Sequence, residues 1–252
     1  MDHKTDPFAH HPELRGKIED PLTSFFRDFS VDSVLKMHPE LASVMEWVYS
    51  DEAREDTRRR CLADYGPDDL WVFAYGSLMW DPALSFSDVR RAYVPDFARR
   101  FILVDDNGGR GTKDSPGLMA ALDQGDGCAG LVFRISAQDV ERETEILWRR
   151  EMIGPGYLPV FVTAQIDGKP GRALTFVADH CADVIDADLS RSDQVRLIAH
   201  GAGFLGTSKA YLENIVTQFA HLGIVDADCS ALLQEVEAFL ISESAPVART
   251  QP

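Results

Sequence analysis

The chain has 252 residues, of which 45% are hydrophobic and 10% aromatic, and its 41 acidic and 25 basic side chains give a net charge of −16. This length and apolar content suffice for a large buried core, which excludes a wholly disordered chain. The strong negative charge excludes nucleic acid and anionic membrane surfaces as favoured partners.

The four cysteines are widely spaced and form no Cys-x-x-Cys pair. We therefore expect neither a disulfide framework nor a zinc site. Residues 1–16 lack the apolar core of a signal peptide, and no apolar run approaches the length of a membrane span. These features together predict a cytoplasmic protein.

Residues 1–69 are charged and helix-prone. A serine or aspartate between positions 30 and 33 can cap a helix, which Pro39 must then break or restart. The following stretch, residues 51–66, is mostly charged and predicts a solvated helix. We interpret residues 1–69 as a helical extension that packs on the main domain and contributes no chemistry.

From Leu70 onward, short apolar runs rich in Val, Leu and Phe alternate with Gly, Pro, Asp and Asn, which is typical of strands. Helical patterns interrupt at about 137–152 and dominate from 190 to 242. This order predicts an α+β fold with a partly closed sheet. We assign the main domain to residues 70–245 and a tail to residues 246–252.

A turn of sequence Tyr75-Gly76-Ser77-Leu78 directly follows the first predicted strand. Consecutive backbone N–H groups of such a turn can form a concave nest for an anion such as a carboxylate. The alternative is an ordinary turn without a ligand. The spacing of glycines matches neither a Rossmann motif nor a phosphate loop.

Glu151 lies near the end of a helix predicted to run to about Ile153, whose apolar stripe includes Val140, Thr144 and Leu147. The helical period places Glu151 on that same face, with Arg150 pointing elsewhere. Burial there would raise the pKa of the carboxyl, as a general acid/base near neutral pH requires. The alternative is a glutamate at the edge of the stripe that pairs with a cation.

A third candidate is Tyr211, which shares a helix face with Ile215, Phe219 and Leu222. Its hydroxyl then points inward and needs a partner. It is either an active-site group or a core tyrosine bonded to a backbone carbonyl. The seven histidines show no metal-binding spacing, so no metal site is predicted.

Taken in series, several motifs resemble those of the ChaC family of γ-glutamylcyclotransferases. The run WVFAYGSLMW is similar to that family's WVFGYGSLIW. Further similarities follow in the same order: Arg99-Arg100-Phe101, RGTKDSPGLMAAL at 110–122, CAGLVFR at 128–134, Arg150-Glu151-Met152 with Gly156-Tyr157, and GTSKAYL at 206–212.

The resemblance implies a γ-glutamylcyclotransferase-like mixed β-barrel with flanking helices, no metal or organic cofactor, and glutathione as the small-molecule substrate. It places the acid/base role on one carboxylate and substrate binding on the turn and the tyrosine helix. The residues concerned are Glu151 for catalysis and Tyr75, Gly76, Ser77, Leu78 and Tyr211 for binding.

Two positions depart from the family pattern: the stretch 152–155 is longer, and Ser208 replaces an asparagine. We expect either to bear on which γ-glutamyl compound is preferred. Two alternative functions stay open at this point. One is a cyclotransferase for other γ-glutamyl amines or dipeptides, and the other is a non-catalytic module that binds γ-glutamyl compounds. The oligomeric state is not predicted.

Overall fold

A computed structural model describes residues 6–244, apart from the side chain of Met45. The predicted tail at 246–252 lies outside this range, as do residues 1–5. The N-terminal part contains only short helices. They are the 3₁₀ helices Pro12–Leu14, Phe25–Asp28 and Pro39–Glu46 and the α-helices α1 (Val31–Met37) and α2 (Asp51–Leu62).

The sequence explains how α1 begins and ends. The Ser30 hydroxyl accepts a hydrogen bond from the Ser33 N–H at 3.2 Å, which caps the first turn. Pro39 cannot continue an α-helix because it has no N–H to donate and its ring clashes with the carbonyl four residues earlier. The chain therefore leaves α1 at Met37 and re-enters as the 3₁₀ helix.

The predicted strands form one mixed sheet with a closed part. The strands are β1 (Leu70–Ala74), β2 (Asp88–Val94), β3 (Phe97–Asn107), β4 (Thr112–Gln124), β5 (Cys128–Ile135), β6 (Tyr157–Ile166) and β7 (Lys169–Ala178). The order β1-β5-β2-β6-β7 returns to β1, because Trp71 and Val72 pair in parallel with Ala173 and Leu174. The expected α+β barrel fold is confirmed, and its five-stranded ring is fully closed.

β4 and β3 extend the sheet beyond β7 as a long antiparallel hairpin. Four further helices flank the sheet: α3 (Val140–Glu151), α4 (Arg191–His200), α5 (Ser208–Leu222) and α6 (Ala227–Ser244). A short pair, β8 (Ala202–Gly203) and β9 (Gly206–Thr207), connects α4 to α5. Two further 3₁₀ turns are Ser77–Met79 and Ala137–Asp139. No helix within residues 6–244 is long and apolar enough to span a membrane.

Two ion pairs attach the N-terminal part, residues 6–69, to α3: Arg27 pairs with the buried Glu143, and the buried Arg58 pairs with Glu141, which is 76% exposed. Arg27 donates to Glu143 Oε1 at 2.9 Å, and the Glu143 side chain is fully buried. Arg58, only 2% exposed, donates to Glu141 and to the Thr144 hydroxyl at 3.0 Å. The prediction of a solvated helix at 51–66 is therefore wrong for the face that carries Arg58. That face is buried because its guanidinium is paired.

Candidate active site

The turn after β1 leaves backbone donors free. Residues Ser77–Met79 form a single 3₁₀ turn, in which the Met79 N–H donates to the Gly76 carbonyl at 2.9 Å. The N–H groups of Ser77 and Leu78 have no acceptor among residues 6–244, as expected for the start of a helical turn. These are the donors that an anion-binding nest requires.

Arg99 binds the backbone directly before this turn. Its Nε donates to the Tyr75 carbonyl at 2.6 Å, and a second nitrogen donates to the Ala129 carbonyl at 2.8 Å. Its third contact is an ion pair with Asp226 at 2.6 Å. Because Arg99 is buried and fully engaged, it fixes the position of the turn relative to β5.

Glu151 lies at the last residue of α3, where the helix opens toward a cavity. Its side chain retains 15% exposure, and its Oε1 lies 3.0 Å from Arg150 Nε. Burial raises the pKa of this carboxyl, while the Arg150 charge and hydrogen bond oppose the rise. The net direction is upward, because burial outweighs the single cation.

The expectation that Arg150 points away from this face is wrong. Its guanidinium donates to the Ser77 hydroxyl at 2.9 Å and to the Asp81 carbonyl. The Phe26 ring of the N-terminal part covers it, with 4.1 Å between the guanidinium carbon and the ring centroid. The long side chain can fold back around the end of the helix, so adjacent helix positions reach one site. Arg150 thus joins Glu151 to the turn.

Three tyrosines lie close enough to this carboxylate for its charge to raise the pKa of each: Tyr75, Tyr157 and Tyr211. Burial raises the pKa of Tyr211 to about 12, with Arg110 and Arg99 opposing the rise. Burial also raises the pKa of Tyr157 and Tyr75 well above the ordinary range, and nearby negative charge, including that of Glu151, adds to the effect. All three hydroxyls therefore keep their protons at neutral pH and remain hydrogen-bond donors.

The structure brings together some predicted site residues and separates others. Ser77, Glu151 and Tyr211 line one cavity of about 190 Å³. Gly76 packs against the Tyr211 hydroxyl, because a Cβ at Gly76 would lie 2.6 Å from that oxygen. The Tyr75 hydroxyl instead donates to the Phe176 carbonyl at 2.9 Å.

Leu78 also belongs to the core, where its side chain is 7% exposed. The lining of this cavity includes neither Tyr75 nor Leu78, and the Tyr75 carbonyl is bonded to Arg99. The Tyr75 side chain is buried in the core, where its hydroxyl bonds a backbone carbonyl. Sequence periodicity could not distinguish the turn residues that line the cavity from those that belong to the core, since the turn follows no regular repeat.

Sequence reasoning missed three residues that line the cavity: Arg150, Tyr157 and Arg110. Tyr157 starts β6 after the Gly154-Pro155-Gly156 turn, and its hydroxyl donates to the Ala120 carbonyl at 3.1 Å. The sequence indicates these three residues only as members of the motifs at 110–122, 150–152 and 156–157. Arg110 lies beside Tyr211, with its guanidinium carbon 5.1 Å from the ring centroid.

The two departures from the family pattern have structural consequences. The Ser208 hydroxyl accepts from the Leu118 N–H at 2.9 Å and donates to the Arg110 carbonyl at 3.2 Å. This residue is fully buried, and it connects the backbone of Leu118 and of Arg110 to the start of α5. The longer stretch 152–155 contacts the N-terminal part, since the Tyr49 N–H donates to the Ile153 carbonyl at 2.8 Å.

Within the described range, 6–244, no group of three His, Cys, Asp or Glu side chains is arranged to hold a metal ion. All four cysteines are free thiols, and Cys181 is exposed. The residues around Glu151 are instead hydrogen-bond donors and two arginines. Such a set can bind a carboxylate, polarise a carbonyl and move a proton.

The closed mixed barrel with its flanking helices is the fold of the γ-glutamyl cyclotransferases. A crystal structure of the selenomethionine-labelled yeast γ-glutamyl cyclotransferase specific to glutathione superposes with a TM-score of 0.62 at 20% identity. The match covers 68% of this chain and 97% of the yeast chain. This likeness concerns the fold alone.

The chain belongs to the ChaC family: the family described as ChaC-like protein matches residues 70–239. The glutathione-specific γ-glutamylcyclotransferase of Escherichia coli K12 is 35% identical over 193 residues, which cover 76% of this chain and 82% of that protein. The glutathione-specific γ-glutamylcyclotransferase 1 of Danio rerio is 28% identical over 187 residues, or 72% and 94% of the two chains. The predicted family is thereby confirmed.

Proposed function

We propose that this chain is a glutathione-specific γ-glutamylcyclotransferase that releases 5-oxoproline and Cys-Gly. The observation that carries the proposal is the position of Glu151. It is a carboxylate, 15% exposed, with a raised pKa, and it shares one cavity with Ser77 and Tyr211. The names of the relatives from Escherichia coli and Danio rerio support the choice of substrate.

The reaction closes a ring within the substrate. The α-amine of the γ-glutamyl group attacks its own γ-carbonyl, forms a five-membered lactam and expels the amine of the cysteinyl residue. Because both reacting groups belong to one molecule, the protein has mainly to hold the chain folded back on itself. A proton must leave the attacking amine and reach the departing one.

Glu151 is suited to carry that proton. A free α-amine has a pKa of about 7.7–8.0, so it is mostly protonated at neutral pH and needs a base. A carboxylate whose pKa is raised by burial accepts a proton more readily than an exposed one. The same group, once protonated, can donate to the leaving nitrogen, and general acid/base catalysis of this kind contributes about 10²–10⁴-fold.

The surrounding donors suit the charged parts of the substrate. The free N–H groups of Ser77 and Leu78 supply donors for the α-carboxylate or for the oxyanion that develops on the γ-carbonyl. Tyr211, with a pKa of about 12, stays protonated and can donate to the same oxygen. Arg150 keeps the turn and Glu151 at a fixed separation through its contacts with both.

The test is an incubation of the purified chain, without added metal, with reduced glutathione and separately with γ-glutamyl-alanine. 5-Oxoproline is quantified by mass spectrometry. The proposal predicts 5-oxoproline and Cys-Gly from glutathione only. Equal turnover of both substrates would favour the broader cyclotransferase, and glutathione binding without product would favour the non-catalytic module.

We also propose that the reaction needs no cofactor and takes place in the cytoplasm. The residues assigned here supply the proton transfer and the oxyanion contacts themselves. The four free thiols are suited to a reducing compartment. Unchanged turnover after treatment with a metal chelator is the expected result, and loss of turnover that added metal restores would contradict it.

A further inference from the structure

A short segment of the N-terminal part, residues 24–27, reaches the candidate active site. It lies outside the family match, which begins at residue 70. The Ser24 hydroxyl donates to Asp81 Oδ1 at 2.7 Å. The Phe26 side chain lines the cavity that contains Glu151. The wall of the site therefore includes a part of the chain that the family match does not cover.

Hydrogen bonds on both sides of Phe26 fix the segment on the main domain. Ser24 precedes it and is buried through its contact with the loop after the turn. Arg27 follows it and donates to the Ala83 carbonyl at 3.0 Å and to the buried Glu143 at 2.9 Å. Because both neighbouring contacts are to the main domain, the Phe26 ring has a defined position relative to α3.

The Phe26 ring packs on the guanidinium of Arg150, with 4.1 Å between the guanidinium carbon and the ring centroid. A cation over the face of an aromatic ring is attracted to it, and more strongly when the pair is shielded from water. The Arg150 side chain is only 3% exposed. The ring therefore stabilises the guanidinium in the position that it occupies beside the cavity.

That position matters because Arg150 contacts both parts of the proposed site. Its Nε lies 3.0 Å from Glu151 Oε1, and another nitrogen donates to the Ser77 hydroxyl at 2.9 Å. The third nitrogen donates to the Asp81 carbonyl. The donors of a guanidinium lie in its plane, so its faces are free to stack on an aromatic ring. Phe26 covers one face while the three nitrogens are engaged in the plane.

We propose that Phe26 is a positioning residue of the active site, an inference that rests on the proposed function. It takes no part in proton transfer. It holds the Arg150 guanidinium between Glu151 and the turn at Ser77, so that the acid/base and the backbone donors keep a fixed separation. Without the ring, the long arginine side chain regains rotamer freedom, and Glu151 and the turn lose their common partner.

The experiment measures kcat for 5-oxoproline formation from glutathione by the full chain, together with Tm. Phe26→Leu removes the ring, keeps an apolar side chain and should lower kcat about tenfold, in line with small misplacements at active sites. Phe26→Tyr keeps the ring and should retain most of the wild-type kcat. Phe25→Leu is the matched control at the neighbouring ring, which is 44% exposed, and it should behave as wild type. Phe26→Met, with a flexible side chain that adapts to irregular gaps, replaces Phe26→Leu should the latter unfold.

A double-mutant cycle distinguishes this role from a general effect on the fold. If Phe26 acts through Arg150, Phe26→Leu should lower kcat far less in the Arg150→Met background than in the wild type. Equal losses in the two backgrounds, or wild-type kcat in a folded Phe26→Leu variant, would overturn the inference and leave the proposed function intact. No 5-oxoproline from the folded wild type overturns both.

Discussion

The Tyr211 hydroxyl packs directly on Gly76, so that a Cβ there would lie 2.6 Å from the tyrosine oxygen. The turn after β1 and the first turn of α5 are therefore in contact at the cavity. Tyr211 is itself confined, since the rings of Trp80 and Phe101 lie 5.7 and 6.3 Å from its own. It has little room to move away from a side chain added at Gly76.

This contact predicts the effect of Gly76→Ala. The new methyl group must displace the Tyr211 ring or the turn, and either shift removes donors from the substrate. We expect a loss of kcat/KM of about tenfold to hundredfold, in line with small misplacements at active sites. The measurement is 5-oxoproline formation from glutathione.

A double-mutant cycle isolates this contact. Tyr211→Phe removes the oxygen that the methyl group would strike, so Gly76→Ala should cost less in that background than in the wild type. Purely additive losses would show that the two residues act independently. That result would contradict the importance of the contact.

The pH dependence of kcat should reflect the ion pair between Arg150 and Glu151. The positive charge of Arg150 lowers the pKa of Glu151, against the larger upward effect of burial. Arg150→Met removes the charge, so the pKa should rise further. A base is active only when deprotonated, and the acid limb of kcat should therefore move to higher pH.

The matched control is Arg149→Met, because Arg149 is exposed and donates to the Arg27 carbonyl rather than to Glu151. It should leave the acid limb in place. An acid limb that stays fixed in Arg150→Met would mean that another group sets it. A shift to lower pH would contradict the sign of the argument.

The ion pair of Arg27 and Glu143 should stabilise the fold. Burial alone would raise the pKa of Glu143, but hydrogen bonds from Arg27, the Ser85 N–H and Arg142 outweigh it and lower the pKa. This stabilisation is fully present above the ordinary carboxyl pKa of 4.5. It is lost as the pH falls through the lower value of the folded state.

Glu143→Gln should therefore reduce the free energy of unfolding at pH 7 by about 2–3 kcal/mol. For a chain of this size, that corresponds to a decrease in Tm of about 5–10 °C. The exposed Glu145 on the same helix gives the control variant, Glu145→Gln, which should leave Tm nearly unchanged. Equal Tm values for the two variants would contradict a stabilising role for the ion pair.

Local periodicity predicted much of the fold. Alternating apolar runs located the strands, and the helical period placed Glu151 on the inner face of α3. The contacts that surround Glu151 could not be predicted the same way, because Phe26 reaches Arg150 across more than a hundred residues of chain. The parallel pairing of β1 with β7 that closes the barrel is likewise a long-range contact.

The direction of a side chain at the end of a helix also could not be predicted from the sequence. Neighbouring helix residues project about 100° apart, which led to the wrong expectation for Arg150. Its length lets the guanidinium curl toward Glu151 and Ser77. Glu143 is fully buried because Arg27 from the N-terminal part neutralises it, and periodicity within α3 cannot predict a partner so far away along the chain.

The most direct test of the account is 5-oxoproline formation from glutathione by the wild type, Glu151→Gln and the control Glu145→Gln, with Tm measured for each. Glu151→Gln should lose about 10²–10⁴-fold in kcat. Its Tm should not fall, because burial disfavours the charged carboxylate that the change removes. Glu145→Gln should behave as wild type. Substantial turnover by a folded Glu151→Gln variant would contradict the assignment of Glu151 as the acid/base.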